Sequence, residues 1–156
     1  MPKADFAFHH RFRVRWSETD AQGVVFNARY LDYADIAITE YWRAAKLREK
    51  AGDEPLEFHV KKATVTWSAP IKPDEMIEVM ARTISTGRTS VTQMVEIHGA
   101  REDNAGDLRA VVDIVSVHVD LANHKPMPLP EWLGPMFAKF DIRAASGTLA
   151  GEVVQG

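Results

Sequence analysis

Trp16-Ser17-Glu18-Thr19-Asp20-Ala21-Gln22-Gly23-Val24-Val25-Phe26-Asn27-Ala28-Arg29-Tyr30 separates two kinds of periodicity in this chain. Upstream, from Phe8 to Trp16, the sequence alternates: His10, Phe12, Val14 and Trp16 fall on one face, Arg11, Arg13 and Arg15 on the other. Period two with that split predicts a strand, apolar side in and basic side out. Downstream, Leu31, Ala34, Ile38, Tyr41 and Ala45 recur at steps of three and four, with Ala37 alongside. This predicts one long helix over about 28–50, with Gly52 as its terminator. Between the two lie Asp20 and then Gly23, which can take backbone angles barred to other residues. A helix start offers unpaired N–H groups and the positive end of the helix dipole. A carboxylate beside such a start suits attack on a carbonyl whose oxygen turns negative.

Outward from that stretch, four more strands are predicted. They cover about 57–68, stopped by Pro70 and Pro73; about 76–84, with Ile77, Val79 and Ala81 on one face; about 89–98; and about 108–120, with Val111, Val115, Val117 and Val119 on one face. Thr86-Gly87-Arg88 reads as a hairpin turn between the second and third of these. Lys125-Pro126-Met127-Pro128-Leu129-Pro130 blocks regular pairing, because each proline removes a backbone donor. A short helix at about 131–140 closes the domain, and the small-residue tail is expected to be mobile. The domain is set at 1–141 and the tail at 142–156. One sheet and one helix must bury their apolar faces on each other, an α+β pair of layers. The helix carries alanine and aromatics around much of its circumference, which fits a sheet wrapped around it.

The 156 residues, 46% of them hydrophobic, suit a single domain with a real core. A formal net charge of −3 is too mild to imply a nucleic-acid or membrane partner. The absence of cysteine excludes disulfides, thiol catalysis and cysteine metal sites. No metal is expected, since His9 and His10 adjoin and His98, His118 and His124 stand isolated in the sequence. Neither a signal peptide nor a transmembrane window is visible, so the expected location is the cytoplasm.

Asp20-Ala21-Gln22-Gly23-Val24-Val25 followed by Tyr30 resembles the active-site segment of the 4-hydroxybenzoyl-CoA thioesterase family. Further landmarks fall in order: Pro70 and Asp74, then Gly87-Arg88-Thr89-Ser90, then Lys125 to Pro130. The resemblance covers roughly 8–140. It implies a hotdog fold, in which an antiparallel sheet of about five strands wraps one long central helix, assembled as a homodimer or homotetramer. It also implies hydrolysis of an acyl-CoA thioester, with coenzyme A entering as part of the substrate and no other cofactor. By the same resemblance Asp20 is the catalytic carboxylate, acting as nucleophile or as general base on water. A backbone N–H at Asn27 or a neighbour polarises the carbonyl, and Gly23 shapes the turn. Val25, Phe26 and Tyr30, with Arg88, Thr89 and Ser90 of the hairpin, are the implied substrate contacts. Some relatives carry histidine where this chain has Asn27; asparagine cannot act as a base, so it orients water or donates to the carbonyl oxygen.

Blander readings accompany each residue. Asp20 and Asn27 also suit caps, Tyr30 a pocket wall, Arg88 a solvated turn. Glu40, on the helix, suits a pair with Arg43, and no His-Gly-Gly segment precedes it to suggest the family's other catalytic arrangement. Three rival functions remain: a non-catalytic acyl-CoA or acyl-carrier-protein binding module, an acyl-carrier-protein thioesterase, and a dehydratase. The last needs a histidine–acid pair at the site, and no histidine lies between His10 and His59.

Overall fold

The computed structural model describes residues 2–146. Its strands are β1 (Phe8–Arg13), β2 (Phe58–Trp67), β3 (Met76–Thr86), β4 (Ser90–Gly99), β5 (Leu108–Asp120) and the two-residue β6 (Lys125–Pro126). Helices α1 (Arg29–Ala44), α2 (Leu47–Ala51) and α3 (Leu133–Ser146) complete it. The sheet runs β1-β3-β4-β5-β2, every pairing antiparallel, with β6 folded back on the end of β5. Interruptions of register on β2, β3 and β5 bend the sheet. The result is a curled antiparallel sheet with helices, mixed α and β.

Each expected strand is present within a few residues, but β1 stops at Arg13. Beyond it Trp16–Glu18 form a 3₁₀ turn. Trp16 is therefore 72% exposed instead of continuing the apolar face. The long helix is interrupted as well: Lys46 takes a left-handed conformation (φ 62°), which ends α1 and starts the single turn of α2. Gly52 does terminate that turn, with φ 59° and its N–H on the Arg48 carbonyl. The closing helix is longer than expected, running to Ser146. The remainder of the expected tail, 147–156, lies outside the described residues. The prolines after Lys125 permit one short pairing, Val119 with Pro126 and Asp120 with Lys125.

Tyr30, Tyr33, Ala34, Ala37, Ile38 and Tyr41 of α1 are buried. They meet Ile77, Val79 and Ala81 of β3, Val95 and Ile97 of β4, and Ala110, Val112 and Ile114 of β5 in one core. The valines at 111, 115 and 117 do share a face of β5, but it is the partly buried face turned from this core. Leu31 is likewise off the core side, 45% exposed. Fully burying each large side chain contributes roughly 1.5–3 kcal/mol.

A buried phenol, that of Tyr41, is tied by hydrogen bonds, as its polar end requires. The Tyr41 hydroxyl donates to Asp141 of α3 (2.9 Å) and sits 2.9 Å from Thr83 Oγ1, while the Thr83 N–H donates to Asp141 (3.0 Å). On the outer face of the sheet, Glu78 accepts from Lys3 and His9, both at 2.7 Å, pinning the N-terminal segment.

These carboxylates respond to pH in opposite senses. Burial lifts Asp141 to about 6, against the Thr83, Tyr41 and Arg82 groups that favour its charge. A raised carboxyl pKa means that the native state holds the proton more tightly. The associated stability is complete below pH 3.8 and is lost as pH rises through about 6. Its upper size is ~3 kcal/mol. Glu78 is also pushed up by burial, but His9 and Lys3 outweigh this and hold it at about 2. Its contribution is present above pH 4.5 and lost on acidification. Asp141→Asn keeps the shape without the titration, so its melting temperature should gain on that of the native chain between pH 4.5 and 7.5. An unchanged difference between those pH values refutes this role for Asp141.

Candidate active site

The loop between β1 and α1 is closed by its own backbone. Asp20 N–H donates to the Val24 carbonyl (2.9 Å), Gly23 N–H to the Asp20 carbonyl (3.0 Å), and Thr19 bridges Val25. Gln22 N–H donates to Asp20 Oδ1 (2.8 Å), the side-chain turn that aspartate forms readily. Gly23 has φ +76° and open space around it, so its requirement is conformational rather than steric. Asp20 is half-buried, and Oδ2 has no protein partner among the described residues.

Two further bonds fix this loop in place. Phe26 N–H donates to the Glu18 carbonyl (3.0 Å) and Val25 N–H to the Ile71 carbonyl (2.8 Å). Glu18 also accepts from the Arg15 N–H (2.8 Å) and from the hydroxyl of core Tyr33 (3.0 Å). Burial first, and then the Glu18 carboxylate, push the Tyr33 phenol well above its ordinary range, so it remains a donor.

Helix α1 then starts with a tight turn: Arg29 N–H on the Phe26 carbonyl (2.9 Å), Tyr30 N–H on Asn27 (3.4 Å), Leu31 N–H on Ala28 (3.3 Å). The N–H groups of Asn27 and Ala28 find no acceptor among the described residues. Ala28 occupies the cap position and no side chain caps the helix, so Asn27 is exposed and not a cap. Two free donors thus lie at the positive end of a 16-residue helix, where negative charge is favoured.

A cleft of about 290 Å³ opens beside them, lined by Val24, Val25, Asn27 and Tyr30 on one side and Trp67, Ser68, Ala69 and Pro70 on the other. Tyr30 stands edge-on to Trp67, centroids 6.0 Å apart. Burial raises the Tyr30 phenol, opposed by a backbone hydrogen bond at Ile71. A larger apolar groove of about 420 Å³ lies between α1 and β2, bordered by Leu31, Ile38, Trp42, Phe58, Ala63 and Ile114.

Of the residues singled out in the sequence, Val25, Asn27 and Tyr30 meet in the cleft, with Asp20 and Gly23 one backbone bond from its Val24 wall. Phe26 projects outward, 51% exposed. Arg88, Thr89 and Ser90 do not join them within the chain. They turn at the opposite end of β3, roughly 35 Å of extended strand away, where Thr89 accepts from the His118 N–H and Arg88 from the Leu129 N–H. Glu40 pairs with Arg43. Among the described residues no three metal-ligating side chains gather. His124 is not isolated as the sequence suggested, since its Nδ1 lies 3.1 Å from His59 Nε2. The Ser68–Ala69 wall and the Arg109 behind it carry no sequence signal, because both are placed by strand pairing alone.

Residues 14–137 match the model of the thioesterase-like superfamily. The acyl-CoA thioester hydrolase YbgC of Escherichia coli is 32% identical over 125 residues, 80% of this chain and 90% of the relative. A thioesterase of Thermus thermophilus, solved with coenzyme A and zinc, superposes with a TM-score of 0.72 at 25% identity, over 88% of this chain and 96% of its own. A 1,4-dihydroxy-2-naphthoyl-CoA thioesterase of Synechocystis shares the fold, TM-score 0.66 at 19% identity, over 90% and 96%. By the family model matched over residues 14–137 and the relative 32% identical over most of both chains, the chain belongs to the thioesterase-like superfamily, with its hotdog-type fold.

Proposed function

We propose that this protein hydrolyses an acyl-CoA thioester, with Asp20 as the catalytic carboxylate. The observation that carries the proposal is the pair of unpaired amides, Asn27 and Ala28, beside an aspartate with one free oxygen. In the water route Asp20 takes a proton as the water oxygen bonds to the thioester carbon. The carbonyl oxygen becomes an oxyanion accepting from the two amides. Collapse breaks the C–S bond, the proton passes to the departing thiolate, and free acid and coenzyme A result. In the nucleophilic route an Asp20 oxygen bonds to the thioester carbon and the C–S bond breaks to release coenzyme A thiolate. Water opens the resulting anhydride to the free acid and the Asp20 carboxylate, its proton passing to the thiolate. Both balance with water alone, so no cofactor beyond the substrate's own coenzyme A is required.

The reading extends to assembly. Among the described residues strand β2 ends the sheet with one edge unpaired, an arrangement that invites a second strand. Val60 on it is 65% exposed, Trp67 50%, and Leu31 beside it 45%. Pairing two copies antiparallel along β2 brings the Phe58 end of one chain to the Trp67 end of the other. The partner's 88–90 hairpin lies next to its own Phe58 end, because Phe58 pairs with His118 and His118 donates to Thr89. A homodimer, or a homotetramer built from two, thus assembles the substrate contacts that a single chain keeps apart. The same reading makes α1 the helix around which the sheet wraps, and the cytoplasm, where acyl-CoA is held, the place of action. No helix among the described residues is long and apolar enough to cross a membrane.

Release of thiol from short, long and aromatic acyl-CoA esters tests the activity. Asp20→Asn should lower kcat by on the order of 10²–10⁴ while the variant still binds substrate. Turnover within tenfold of the native chain would remove Asp20 from the chemistry, and tight binding without hydrolysis by the native chain would make it a binding module. Gly23→Ala should cost about 1 kcal/mol through its left-handed conformation and lower activity with it, Gly23→Asn less so. Light scattering should give a mass of at least two 17.5 kDa chains; a fully active monomer would rule out a site completed by a partner.

A further inference from the structure

The wall of the cleft facing Asn27 is irregular backbone, residues 68–71, with no strand partner of its own beyond Trp67. What holds it is Arg109 of β5. The Arg109 carbonyl accepts from the N–H groups of Ser68 (2.8 Å) and Ala69 (3.2 Å). Its guanidinium then reaches back under the same segment and uses all five of its donors. Nη1 donates to the Pro70 carbonyl (2.9 Å) and to Glu75 Oε1 (3.0 Å). Nη2 donates to Glu75 Oε2 (2.5 Å) and Asp107 Oδ2 (2.7 Å), and Nε to Asp107 Oδ1 (3.2 Å). Glu75 in turn accepts from the Lys72 N–H (3.0 Å), closing the turn after the wall. The guanidinium side chain is only 13% exposed.

The next carbonyl along, Ile71, is the one that receives the Val25 N–H and so anchors the Asp20 loop. One residue therefore bears on both sides of the cleft: its backbone carbonyl holds Ser68 and Ala69, its guanidinium holds Pro70, and the loop carrying Asp20 follows through the adjoining Ile71 peptide. We propose that Arg109, held in its fork by Glu75 and Asp107, is the positioning residue that fixes the separation between the Asp20 loop and the cleft wall.

Two features separate this from an ordinary surface ion pair. Every donor is matched to a specific acceptor, two of them carboxylates engaged side-on, a geometry that lysine cannot reproduce with one ammonium. The charges are also felt at the site: Arg109 lowers and Glu75 raises the Tyr30 phenol, both as smaller effects than burial. Arg109 touches no reacting atom in this arrangement. Its influence is geometric, and a displacement of about 1 Å at a catalytic centre can cost about 10² in rate.

The proposal rests on the thioesterase reading, and its test separates the two. Arg109→Lys is compared with the native chain for kcat, KM and coenzyme A affinity on the ester that the native chain hydrolyses best, well below both melting temperatures. Glu78→Gln serves as the control, since it breaks a still more deeply buried ion pair on the outer face, whose partners Lys3 and His9 do not line the cleft. Arg109→Lys should lower kcat by about ten- to a hundredfold with coenzyme A affinity nearly unchanged, whereas Glu78→Gln should lower melting temperature and leave kcat alone. If Arg109→Lys does not fold, Glu75→Gln carries the same expectation. A folded Arg109→Lys with native kcat overturns the positioning role, as does an equal loss of kcat in Glu78→Gln. A native chain that hydrolyses no acyl thioester removes the reading and the role together.

Discussion

The hydrogen bond from Val25 N–H to the Ile71 carbonyl, 2.8 Å long, is the contact on which the site depends. It is the point where the segment leading into α1 meets the segment leading into β3. Without it, the Asp20 loop stays tied to α1 through Glu18 and loses its bond to the segment that carries the cleft wall. With it, the direction of α1 and the place of the wall follow from one another. A buried backbone donor has a strong need for an acceptor, so the bond also sets a free-energy cost on any arrangement that separates the two segments.

Polar ends of buried aromatic residues extend that constraint inward. Tyr33 reaches out of the core to Glu18 in the turn before the site, and Tyr41 reaches across to Asp141 on the closing helix. Each phenol supplies a large apolar body and one directional bond. The pair marks both ends of α1: one fixes its start against the turn before the Asp20 loop, the other fixes its later turns against α3. Aliphatic residues of equal size would fill the core and leave the rotation of the helix less defined.

Periodicity made most of the fold legible. The alternation at 8–13, the three- and four-residue steps of α1, and the Gly87 turn each correspond to an element observed. The errors share a cause, which is that periodicity identifies a face without saying what lies against it. The valines of β5 look like a core face, yet Ala110, Val112 and Ile114 point inward. Leu31 begins an apolar stripe and borders the open groove instead. Trp16 continues an alternation that Arg15 and Glu18 end by bonding into a turn. The turn at Asp20 was legible because it is local, written in an aspartate three residues before a glycine. Arg109 was not, because its partners at 70, 75 and 107 come together only when β5 lies alongside β2, a relation that no short window of sequence contains.

The strand order has a bearing on how the chain is made. In β1-β3-β4-β5-β2, the second strand to be synthesised finds its one strand neighbour among the described residues in the fifth. On the ribosome, β2 waits unpaired until Leu108–Asp120 has emerged, and the wall that follows it waits too, since Arg109 lies on that strand. Non-local pairing of this kind slows folding and leaves strand edges exposed meanwhile. The lysines at 61 and 62, on the strand that waits longest, place charge where premature pairing between nascent chains would begin. The cleft wall is consequently set late, and a chain released before β5 has Asp20, Gly23 and Asn27 but lacks the strand that holds the wall opposite them.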